Sequence, residues 1–105
     1  MISEAMAKEL TAKAVAITGA EGEIRKVSVS FIHTPKANTI KYTIVNRDYY
    51  LKVSDWCAEM DEYMFTAMMV FFIESTVLCQ KSEMPEALKD WVDDNRHRWA
   101  PEASA

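Results

Sequence analysis

Glu74 is the residue whose surroundings most invite chemistry. Its neighbours three and four positions away are Val70, Phe71, Val77 and Leu78. A carboxylate on such a surface lies at a partner interface, pairs with a base, or takes up a proton. In a pocket it would be a perturbed acid, and a small enzyme or ligand binder is one reading. No second catalytic group accompanies it, so a structural role is preferred. Glu74 then accepts a bond from a basic strand residue or from a second copy of the chain.

Few other groups compete with it. Asp93 and His97 are four apart on one helical face, a spacing that can hold a metal. Two ligands are too few, and the pair reads as a solvated ion pair. His33, at a strand end, has no nearby Ser or Cys that the sequence ties to it. No Gly-rich phosphate loop, GxSxG, HExxH or CxxC occurs, and the whole chain holds only two glycines. No catalytic residue, metal or cofactor is therefore expected, and the chain is not expected to be an enzyme.

The elements that must position these groups follow from periodicity. Ser3 and Glu4 open a helix with Met6, Leu10, Ala14 and Ile17 at helical spacing, and Gly19 should stop it. From Glu23 the period becomes two. Val27, Val29 and Phe31 alternate with polar neighbours, as do Ile40, Tyr42 and Ile44, then Tyr49, Leu51 and Val53. Turns at 34–38 and 46–48 are short, which predicts a three-stranded antiparallel meander with one wet face. Ile24 is out of phase with Val27, so the strand starts after Ile24 or bulges there.

Ser54 and Asp55 are read as the start of a long helix running to Gln80. Residues 55–66 have a polar side, whereas Ala67 to Ile73 are apolar in every direction, as in a helix buried all round. Met60, Met64, Met68 and Met69 are expected to be core, or an adaptable groove. This chain has too little else to cover such a helix. A homodimer with Met69, Val70, Ile73 and Glu74 at its interface is the preferred explanation. Ser82 and Pro85 open a last amphipathic helix with Leu88, Trp91, Val92 and Trp99 inward. The fold class is α+β in the order α-β-β-β-α-α, one domain over residues 1–100 with a disordered tail over 101–105.

Charge divides the chain. The net of −4 combines residues 22–53, six basic against two acidic, with residues 54–105, four basic against eleven acidic. Cys57 and Cys79, about 30 Å apart on one continuous helix, could not pair, so two buried thiols in a reducing compartment are expected. The longest apolar stretch is far short of the roughly 20 residues of a membrane span, and no signal segment is seen. A cytoplasmic protein is expected.

Three functional readings remain. The first is a non-catalytic regulator that binds another protein as an inhibitor or adaptor. Glu83, Glu86, Asp90, Asp93 and Asp94 form its acidic partner-binding stripe. One specific form is a phage-type antagonist whose acid helices occupy a basic groove meant for nucleic acid. The second reading is nucleic-acid binding by Lys41, Tyr50 and Lys52 on the basic strands. The third is the Glu74 pocket.

Overall fold

A computed structural model describes residues 1–33 and 40–95. The expected turn at 34–38, His97, Trp99 and the tail from Pro101 lie outside the described residues.

The first helix, α1, spans Glu4–Thr18. The Ser3 hydroxyl accepts the Met6 N–H at 3.2 Å, which satisfies one orphan donor of the first turn. Gly19 ends the helix at φ 74°, a left-handed conformation that suits a residue without Cβ. The buried face is Ala7, Leu10, Thr11, Ala14 and Val15. Ile17, expected on that face, is 65% exposed.

The strands are β1 (Lys26–Ile32), β2 (Ile40–Val45) and β3 (Asp48–Ser54). They form a mixed sheet of order β1-β3-β2, not a pure antiparallel meander. β3 inserts between the other two. It runs parallel to β1, pairing Val29 with Leu51, and antiparallel to β2, pairing Tyr42 with Leu51. The β2–β3 turn is as expected: Asn46 and Arg47 both adopt positive φ, 50° and 69°, the conformation of a two-residue hairpin loop that matches strand twist. Ile24 is buried and precedes β1.

Register divides the sheet into two faces. Val27, Val29 and Phe31, with Tyr49, Leu51 and Val53, line the covered face. Their alternating partners line the open face. On β1's outer edge the Phe31 N–H donates to a Glu4 carboxylate oxygen at 2.8 Å. β2 is the other edge, and none of its residues is fully buried.

The expected long helix is divided. A 3-10 helix spans Asp55–Glu59, and α2 spans Glu62–Thr76. Met60 between them is extended, and Asp61 caps α2 by accepting the Met64 N–H at 2.7 Å. Ser54 caps nothing, and its buried hydroxyl has no hydrogen-bond partner. The division turns α2 onto the sheet, where Phe65 meets Phe31 edge-on at 6.4 Å and Phe72 meets Tyr42 at 5.6 Å. Alanines 7 and 14 are fully buried, and their small size lets α1 pack closely against α2 and β1. The last helix, α3, spans Glu86–Asn95 and buries Leu88 and Val92.

This packing covers part of the apolar helix within one chain. Met69 and Ile73 are fully buried and have no surface to give a second copy. Val70 and Glu74 are half-buried. Among the methionines, Met60, Met68 and Met69 are core and Met64 packs against it. Cys57 is buried, but Cys79, expected to be buried too, is exposed. No described helix is long and apolar enough to cross a membrane.

Candidate functional site

A groove of about 510 Å³ lies between α1 and α2. One wall is the α1 stripe of Leu10, Lys13 and Ile17. The other is the α2 stripe of Tyr63, Ala67, Val70 and Glu74. Both stripes have the three-and-four spacing of a single helical face. The α2 stripe is turned away from the sheet, which takes Phe65, Phe72 and Thr76. Glu62 and Glu83 also line the groove.

Glu74 finds its partner in its own chain. The Ser82 hydroxyl donates to Glu74 Oε1 at 3.0 Å, and the Gln80 N–H donates to the Glu74 backbone carbonyl. Neither a basic strand residue nor a buried, closed pocket surrounds it. The carboxylate stands in the wall of an open groove.

The acidic stripe lies next to this groove. Glu86, Asp90 and Asp93 follow one outer line of α3, Asp94 flanks them, and Glu83 precedes the helix. All five are exposed. Leu88 and Val92 on the opposite side anchor the helix, so its acidic side must face outward. Glu83 belongs to both surfaces, because it also lines the groove.

The open face of the sheet is the third surface. Lys41 stands directly opposite Lys52, and Tyr50 stands opposite Thr43 on one side and Ser28 on the other. The three residues singled out on these strands are therefore adjacent on one face. Tyr50 is 46% exposed. Asp48, on the same face, is tied up: Arg25 Nε and Nη2 donate to its two oxygens at 3.0 and 2.9 Å. That hydrogen bonding, with the guanidinium charge, holds the Asp48 carboxyl below its usual range. With its one acid neutralised in this way, the face is left to its lysines.

One pairing escaped sequence reasoning. His33 Nδ1 lies 3.0 Å from Asp55 Oδ2 at the sheet end, and both are exposed. Asp55 reads in sequence as a first-turn helix acid, so only the β1–β3 register could have joined it to His33. Among the described residues no group of three or more His, Cys, Asp or Glu could hold a metal ion. Burial, followed by the charge of Asp55, pushes the Cys57 thiol up to about 12, which disfavours the nucleophilic thiolate.

No family model, curated protein or solved structure matches the chain.

Proposed function

We propose that this protein is a non-catalytic regulator that binds another protein through its acidic helical side. The observation that supports this reading most is the exposed line of Glu83, Glu86, Asp90, Asp93 and Asp94, which begins at the lip of the apolar groove between α1 and α2. Concentrated charge steers association with a basic partner, and apolar surface beside it supplies the contact area. A narrower form of the reading is inhibition of a nucleic-acid-handling protein, with the acidic stripe standing in for phosphates. A homodimeric form would use Val70 and Glu74, which keep exposed surface, rather than the buried Met69 and Ile73. The test is affinity capture from the source cell with wild type and with an Asp90→Lys/Asp93→Lys variant. Loss of one defined partner in the variant is expected. Equal capture by both proteins would overturn the reading.

A second reading has its own observation. The register sets Lys41, Lys52 and Tyr50 side by side on an uncovered sheet face. Aromatic side chains among cations on an open sheet can hold single-stranded nucleic acid.

A further inference from the structure

We propose that the groove between α1 and α2 receives a cationic amphipathic helix of another protein, laid along the pair as a third helix. This rests on the protein-binding reading and names the chemistry of the partner.

The groove has the shape of a helix seat. From Tyr63 to Glu74 the α2 wall runs eleven residues, about 17 Å or three helical turns. The facing ridges of α1 and α2 leave a furrow into which the ridge of another helix packs. The lips carry two large apolar side chains with little cover of their own, Ile17 at 65% and Tyr63 at 83% exposure. Among the described residues, only Met1 of the large hydrophobics is as exposed as these two, and Ile17 and Tyr63 line one groove.

Backbone chemistry favours a helix over a strand in this groove. The two long walls are α-helices, whose N–H and C=O groups are satisfied internally away from their ends. An extended peptide would bring a row of backbone N–H and C=O groups to walls that present no strand edge to pair with them. The sheet edge that could pair with a strand, β2, is not part of the groove. A helix brings its own hydrogen bonds and needs only side-chain contacts.

Charge selects the guest. Glu62, Glu74 and Glu83 line the groove against a single base, Lys13. Ser82 engages one oxygen of Glu74, which lines the groove. A helix with Leu-like residues at i, i+3, i+4 and i+7 and Lys or Arg on its flanks matches both the floor and the rim.

The probe is a fluorescent Leu/Lys amphipathic peptide of about 14 residues, long enough for the three-turn groove. Two controls accompany it: the same peptide with Glu for Lys, and a Leu/Lys peptide interrupted by proline. Anisotropy measures affinity, and amide chemical shifts locate the site. The Leu/Lys helix is expected to bind and to shift Ile17, Ala67 and Val70. Affinity should fall at least tenfold in Ala67→Arg and in the surface variant Glu62→Lys/Tyr63→Ser, which leaves the core intact. It should change less than twofold in Glu23→Lys, an exposed acid outside the groove. Equal binding of either control, shifts confined to other surfaces, or no binding would overturn the helix-in-groove proposal. Partner capture that still depends on Asp90 and Asp93 would then leave the protein-binding reading standing.

Discussion

Tyr49 is fully buried, yet its hydroxyl is satisfied by Thr76 Oγ1 at 3.1 Å. Burial pushes its pKa up to about 12, with the Thr76 hydrogen bond opposing. The proton is therefore held more tightly in the folded chain than in the unfolded one. This contribution is fully present below the unfolded value near 10 and is lost as pH rises toward 12. Cys57 behaves in the same sense from about 9 upward. Tyr49→Phe should cost about 1 kcal/mol at neutral pH, the worth of one hydrogen bond. Thr76 keeps its bond to the Phe72 carbonyl, so no donor is orphaned. The variant should also lose stability less steeply above pH 10, which denaturant midpoints measured from pH 8 to 11 would show. The thiols offer a simpler check. A colorimetric thiol reagent should label exposed Cys79 quickly and Cys57 only at the rate of opening. Equal rates would contradict the buried position of Cys57.

The start of α2 carries the main lesson about elements. Ser54, Asp55 and the spacing of Trp56, Met60 and Tyr63 read as one helix, because 3-10 and α-helical turns share much of the same apolar pattern. Asp61 was the available signal for the true start, a carboxylate two residues before Tyr63, but it is masked by the acidic side expected of an amphipathic helix. Asp61→Ala should therefore cost about 1 kcal/mol as a lost cap. Ser54→Ala should be neutral or stabilising, because its buried hydroxyl has no partner to lose. Chemical denaturation of the two variants compares them, and a larger loss at Ser54 would contradict the division. Strand pairing shows the same limit. Alternation placed Val27, Tyr42 and Leu51 on one face, which is legible because side chains repeat every two residues. It carries no information on neighbours, so the insertion of β3 beside β1 was not legible. The groove needed three-dimensional packing too. Ile17 and Tyr63 are 46 residues apart in sequence, and only the α1–α2 contact brings their stripes together.

Across the whole molecule, the uneven charge seen along the chain becomes an uneven distribution in space. The acidic residues of α3 stand on the helical side, and Lys41 and Lys52 stand on the open sheet face. A net charge of −4 opposes binding of a polyanion from a distance, but contact at one face depends on local charge. The nucleic-acid reading therefore predicts weak binding of a single-stranded oligonucleotide at low salt, falling as salt rises. Lys41→Glu/Lys52→Glu should abolish it, and Tyr50→Ala should cost roughly 1–3 kcal/mol if a base stacks there. Two single variants guard against misfolding as the cause. Lys41→Glu alone turns the like-charged pair opposite Lys52 into an attractive one, so the sheet should gain stability while binding is lost. Lys52→Glu should do the same. Thermal melts alongside the binding titrations would separate the effects. A stabilised variant that still binds normally, or a wild type that does not bind at low salt, would remove the sheet face from the functional account and leave the acidic side alone.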